Sequence, residues 1–212
     1  MANDILIFGE VRGGSLKKVT KELIEAARRV SRENGGAVDA VLFGTGARAA
    51  AEGIAQYGLR TITVCESGAL ASYSTEGYAT TLAALVKRMN PSYVLLGATA
   101  MGRDLAARAA AKADGVMFSD CVDLRMEGAV CVARRPVYSG KAYVELARSG
   151  ERTNFITIRP NNIPPASPTG GGTPIESHDA QVAREAIRAI VSEFIPLEGG
   201  RPDLTEADVI VS

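Results

Sequence analysis

Tryptophan is absent from this sequence, histidine occurs once, and only 5% of the residues are aromatic. Binding single-stranded nucleic acid relies on aromatic faces for base stacking, so so few rings argue against it. The lone His178 stands in the polar stretch Glu176-Ser177-His178-Asp179. Ser-His-Asp and Cys-His catalysis need a packed, oriented imidazole, and this one reads as a surface residue. Cys65, Cys121 and Cys131 are odd in number and lack C-x-x-C spacing, which excludes a disulfide framework or a zinc knuckle and leaves buried small hydrophobes. Charge of one sign is missing too. Lys+Arg and Asp+Glu balance at 24 each, so no bulk field draws the chain to nucleic acid or an anionic membrane. No apolar run approaches the roughly 18 residues of a membrane-spanning helix. Met1-Ala2-Asn3-Asp4 leads into Ile5-Leu6-Ile7-Phe8 without a basic leader, so a cytoplasmic protein is expected.

What is present is an ordinary globular composition, 46% hydrophobic and 23% charged over 212 residues, enough for one sizeable α/β domain or two small ones. The first half alternates strands with helices. Residues 4–9 form a short apolar run. Ser15 is placed to cap the helix that follows. In that helix Leu16, Val19, Leu23, Ala27 and Val30 share one face, and Gly35-Gly36 ends it. Strands are expected at 38–43, 61–65 and 93–96, with helices at 47–55, 78–89 and 102–112. The second of these helices stops at Asn90-Pro91. This order predicts a parallel sheet covered on both faces by right-handed crossovers.

The pattern changes near Val116. Residues 117–125, 129–134, 142–147 and 154–159 read as strands joined by Glu127-Gly128, Ser139-Gly140 and Ser149-Gly150 turns, so antiparallel hairpins are expected to close the domain. Pro164-Pro165 through Gly170-Gly171-Gly172 reads as an irregular surface connection. Residues 182–194 fit a helix by periodicity, while 190–195 could also serve as a strand.

Two loops follow strands where doubly wound sheets hold ligands. Gly9-Glu10-Val11-Arg12-Gly13-Gly14-Ser15 offers a glycine pair that could cradle phosphate, but it matches neither G-x-G-x-x-G nor G-x-x-x-x-G-K-[ST]. Glu10 would repel an anion, and a tight strand-to-helix turn is the plainer reading. The second loop supplies Gly97, Thr99, Gly102, Arg103 and Asp104. Gly97 allows a sharp exit, Thr99 offers a hydroxyl at a helix start, and Arg103 is a bidentate anion donor. Asp104 could hold Arg103 instead, giving an interface rather than a nucleotide loop.

This second loop lies in "LLGATAMGRDLAARAAAKADG", followed by "FSDCVDL", "RRPVYSGKAYVELA" and "TNFITIRPNNI". Together with the opening "DILIFGEVRGGSLKKVTKELIEAARRV", these segments resemble the alpha subunit of electron-transfer flavoproteins over essentially the whole chain. Ala100-Met101 depart from the Ser and small residue common there. The resemblance implies an α/β fold, a mostly parallel doubly wound sheet of the adenine-nucleotide hydrolase-like type with antiparallel hairpin strands in the second half. It implies a scaffold domain over residues 1–195 that pairs with a homologous beta subunit. It also favours a strand for residues 187–195. Residues 196–212 would be a linker and the first strand, around Val209-Ile210-Val211, of an FAD-binding domain that this chain stops short of. FAD is then a cofactor of the complete protein, which takes electrons from flavoprotein dehydrogenases, and AMP belongs to the beta subunit. No catalytic or metal residue is expected here, because the redox chemistry is the cofactor's. The alternative is a stand-alone adenine-nucleotide-binding domain similar to universal stress or PP-loop proteins. Of the PP-loop S-G-G-x-D-S pattern, the segment Arg12-Gly13-Gly14-Ser15 keeps only the glycine pair.

Overall fold

The computed structural model describes residues 3–147, 150–180, 182–193, 195 and 211. Expectations for Ser149 and for the segment 196–212, other than Val211, fall outside the described residues. The chain opens with β1 (Ile5–Gly9), then a small hairpin of β2 (Val11–Arg12) and β3 (Ser15–Leu16), then α1 (Lys18–Asn34). Next come β4 (Val38–Phe43), α2 (Ala47–Glu52), β5 (Ile62–Cys65), α3 (Thr75–Met89), β6 (Tyr93–Gly97) and α4 (Ala100–Lys112). The second half contains β7 (Val116–Cys121), β8 (Asp123–Glu127), β9 (Val130–Val137), β10 (Ala142–Ala147), β11 (Asn154–Ile158) and β12 (Ile175–Ser177).

Seven of these strands make one sheet, ordered β12-β5-β4-β1-β6-β11-β7, and every neighbouring pair is parallel. Strand β1 lies at its centre and all five of its residues are buried. A parallel strand covered on both faces carries apolar side chains throughout instead of alternating, and Ile5-Leu6-Ile7-Phe8 does so. Side chains from α1 and α2 pack one face and those from α3 and α4 the other, in two separate cores. In the second core Phe8, Phe43, Tyr78 and Tyr73 meet edge to face, with ring centroids 4.9–6.4 Å apart.

Four sequence expectations are corrected. Ser15 does not cap α1. It closes the two-residue hairpin, in which Gly13 and Gly14 take φ values of 56° and 76°, so the glycine pair makes a mirror-image turn and not a phosphate cradle. Residues 117–125 do not form one strand. The chain breaks at Val122, giving β7 to the parallel sheet and β8 to a separate antiparallel sheet ordered β10-β9-β8. Residues 154–159 are not a hairpin strand either. As β11 they slip between β6 and β7, fully buried, because Phe155-Ile156-Thr157-Ile158 has no polar face to show water. Finally, the described residues within 187–195 form no strand, and only a short 3-10 turn occurs at Arg184–Ala186. Ile190 and Ile195 are exposed there, so the burial that would reward pairing is missing.

The irregular connection after β11 carries much of the tertiary hydrogen bonding. The backbone N–H of Asn161 donates to Glu22 of α1 at 2.9 Å, and that of Ala166 to the Lys21 carbonyl at 2.9 Å. Thr169 and Thr173 then donate to the Gln56 and Ala55 carbonyls, each at 2.8 Å, before β12 adds to the sheet beside β5. Arg28 ties the same strap down through the Ser167 carbonyl at 2.9 Å and the Tyr57 carbonyl.

Glu22 is 1% exposed, and that burial pushes its carboxyl above the usual range, against the opposing pull of the Asn161 N–H and the Lys18 charge. A raised carboxyl favours the neutral acid in the folded state, so ionising Glu22 subtracts stability as pH rises through the folded-state value. That penalty is absent below the ordinary value. Glu22→Gln is therefore expected to raise the thermal midpoint near about pH 8 and to leave it unchanged near about pH 4. A loss of stability at the higher pH would show that the Lys18 attraction outweighs burial.

Candidate functional site: the carboxyl end of the sheet

Strand order reverses between β1 and β6, so the loops after these strands flank the crevice where doubly wound folds hold ligands. Glu10 follows β1 directly and is 5% exposed. Its carboxylate accepts a hydrogen bond from the Thr99 hydroxyl at 2.6 Å. The same hydroxyl accepts the Gly102 N–H at 2.9 Å, capping α4. Thr20 holds the backbone behind, its hydroxyl accepting the Glu10 N–H at 3.1 Å. A negative group is thus built in at the positive end of α4, where a nucleotide would place phosphate.

The glycines of this loop serve close packing. A side chain at Gly102 would put its Cβ 1.9 Å from the Gly97 carbonyl oxygen, and one at Gly97 would meet Val19 at 2.9 Å. Helix α4 therefore starts directly on the end of β6, with the buried Glu10 carboxylate hydrogen-bonded at its head.

Of the residues singled out in the sequence, Gly97, Thr99 and Gly102 come together, while Arg103 and Asp104 diverge. Asp104 does not hold Arg103. It accepts the Tyr73 hydroxyl at 2.6 Å and the Thr75 hydroxyl at 2.5 Å, which binds the head of α4 to the head of α3. Burial opposes its ionisation, but the bonds from Thr75 and Tyr73 and the Arg108 charge hold Asp104 below the usual carboxylate range. A second bridge joins the same helices, Arg108 to Glu76 at 3.2 Å. Arg103 is exposed and its charge helps hold the Asp120 carboxyl below the usual range.

The cysteines are buried, and desolvation pushes the Cys65 and Cys121 thiols up to about 12, far from a reactive thiolate. Arg88 Nη1 lies 3.2 Å from the Nδ1 of His178, and burial followed by that charge lowers the imidazole pKa. Among the described residues no three His, Cys, Asp or Glu side chains group as metal ligands. Likewise, no helix there is long and apolar enough to cross a membrane.

Sequence reasoning saw Glu10 only as an obstacle to anions and missed its bond to Thr99. Its partner lies 89 residues away, and no local spacing signals that bond. Tyr73, Thr75 and the Asp120–Arg159 pair were missed for the same reason.

The fold defines a doubly wound α/β domain in which Glu10 and Thr99 bond across the carboxyl end of the sheet. The chain belongs to the electron transfer flavoprotein domain family, whose model matches residues 5–183. It is 35% identical to the electron transfer flavoprotein subunit alpha of Bacillus subtilis (strain 168), an alignment spanning 100% of this chain and 64% of that protein. The protein of the same name from Syntrophomonas wolfei is 34% identical over 97% of this chain and 63% of its own length. A subunit of Acetobacterium woodii named lactate dehydrogenase (NAD(+),ferredoxin) subunit LctC is 32% identical over 98% of this chain and 50% of its own.

Thr99→Val removes both the helix cap and the donor to a buried carboxylate, and should destabilise the fold by about 3 kcal/mol in urea unfolding. Thr99→Ser keeps the hydroxyl and should lose well under half as much. Equal losses would assign the effect to methyl packing instead.

Proposed function

We propose that residues 1–195 are the amino-terminal scaffold domain of an electron-transfer flavoprotein alpha subunit and pair with a beta subunit. Residues 196–212 lead toward the FAD-binding part of the complete protein. The observation that carries this reading is likeness to alpha subunits along the whole chain, in a domain whose own crevice is filled by Glu10. In the complete protein, FAD carries electrons from dehydrogenases to a downstream acceptor, and AMP resides in the beta subunit. This chain is then part of an electron carrier and not an enzyme by itself, and it acts in the cytoplasm. The name of the Acetobacterium woodii relative, a subunit of a lactate dehydrogenase, supports assembly with a dehydrogenase.

Surface chemistry agrees with a subunit partner. Strand β10 is an edge of its sheet and is exposed along most of its length, and nearby Tyr138 and Tyr143 are 81% and 52% exposed. Unpaired edges bearing aromatic side chains are surfaces that proteins normally cover. In this reading Gly97, Thr99, Gly102, Arg103 and Asp104 shape an interface rather than a nucleotide loop. A stand-alone adenine-nucleotide domain is not favoured, because Glu10 stands where the phosphate would go.

Mixing the chain with the beta subunit from the same source should give a one-to-one complex by light scattering. Two separate monomeric peaks at micromolar concentration would contradict the scaffold reading.

A further inference from the structure

At the carboxyl ends of β7 and β11 the sheet is deliberately irregular. Ile156 pairs with Phe118 and Ile158 with Cys121, so β7 carries one extra residue, a bulge. Asp120 sits in it with φ of 60°, its N–H donating to the Thr157 hydroxyl at 2.8 Å. Bulges re-aim side chains, and here the Asp120 carboxylate is turned onto Arg159, which donates to it at 3.0 and 2.5 Å. Beside it, Arg135 donates from Nη1 to the Ser119 hydroxyl at 3.0 Å. Its Nε is buried and has no hydrogen-bond partner. Arg103, exposed in the first turn of α4, donates its backbone N–H to the Thr99 carbonyl at 3.0 Å, and its charge helps hold Asp120 below the usual carboxylate range. One arginine, Arg159, thus pairs with the Asp120 carboxylate, while the charges of Arg135 and Arg103 act on it without a hydrogen bond, next to the positive end of a helix.

This surplus is local, because the chain as a whole carries equal numbers of acidic and basic residues. The neighbouring arginines differ. Arg134 lies in register between Asp123 and Glu145, and Arg125 pairs with Glu127 at 2.6 Å and Glu145 at 2.9 Å. At Asp120, by contrast, the side chain of Arg135 bonds Ser119 and no carboxylate. The cluster also adjoins the exposed aromatic face, since Arg134 stacks on Tyr143 with 4.0 Å between guanidinium carbon and ring centroid, one residue from Arg135. Arginines beside exposed tyrosines are the composition of a docking surface.

We propose that Arg103, Arg135 and Arg159, gathered around Asp120, dock an acidic side chain of the partner subunit. The inference rests on the scaffold reading above and specifies the partner's chemistry: a carboxylate brought to the end of β7, beside the aromatic edge of β10. Attraction of this kind speeds encounter and fixes orientation, and salt weakens it.

Association of the protein with its beta subunit should be followed at low and high salt for the wild type, Arg103→Glu, Arg103→Lys and Arg159→Gln. The Arg103 side chain is exposed, and the backbone hydrogen bond of Arg103 to Thr99 does not depend on it, so its reversal leaves the fold intact by circular dichroism. Arg103→Glu and Arg159→Gln should each weaken binding about tenfold or more and flatten its salt dependence, while Arg103→Lys keeps most of both. Unchanged affinity and salt slope in Arg103→Glu would overturn the docking role and leave the scaffold reading standing. Equal loss in Arg103→Lys would overturn it as well, since charge would not be the cause. Failure of the wild type to bind at all would overturn both.

Discussion

The short hydrogen bond between the Thr99 hydroxyl and the Glu10 carboxylate joins the two loops that an α/β sheet of this order would otherwise leave apart. It does three things at once. It gives a buried carboxyl group a partner, it fixes the hydroxyl that caps α4, and it puts an acidic side chain where the fold would otherwise attract an anion. The position of α4 then fixes its neighbours. Its Asp104 takes the Tyr73 and Thr75 hydroxyls at the head of α3, and Tyr73 stacks on Tyr78 within the aromatic core. The carboxyl end of the sheet is thereby turned from a crevice into a firm surface.

The rest of the molecule makes that surface hold its shape. Helix α1 packs beneath both sheets, so Leu124, Met126 and Ala133 of the antiparallel strands share one core with Leu23 and Ile24. Strands β8 and β9 are thereby packed on the main body, and β10, paired to β9, presents its aromatic edge outward. On the same side, the strap after β11 replaces a helix with a series of backbone hydrogen bonds, anchored by Arg28 and Glu22. In the scaffold reading proposed above, a domain built this way would supply rigid shape to an assembly and leave redox chemistry to a cofactor held elsewhere.

Much of this was legible from local pattern. The central strands announce themselves as continuous apolar runs, the helices as periodic ones, and Gly35 and Asn90 stop α1 and α3 in left-handed conformations as their sequence context suggests. What escaped reading depends on contacts distant in sequence. Residues 117–125 look like one strand because the bulge at Asp120 answers to Thr157 of another strand, and nothing nearby marks it. The segment Asn154–Ile158 follows three antiparallel strands, so its order suggested another hairpin. Its unbroken apolar character was the better guide, since a half-exposed strand alternates and a parallel interior strand need not. Gly13-Gly14 reads as a tight turn, as it is, but a hairpin of two residues per strand leaves too faint a trace to be read around it. The bond from Thr99 to Glu10 had no local signature at all.

The central claim is that Glu10 fills the ligand position of this fold and leaves a scaffold. Calorimetric titration of AMP, and separately of FAD, into the wild-type chain tests it most directly. The account expects no saturable heat from either at micromolar concentration. Saturable micromolar binding that Thr99→Val abolishes would place a nucleotide in the crevice and contradict it.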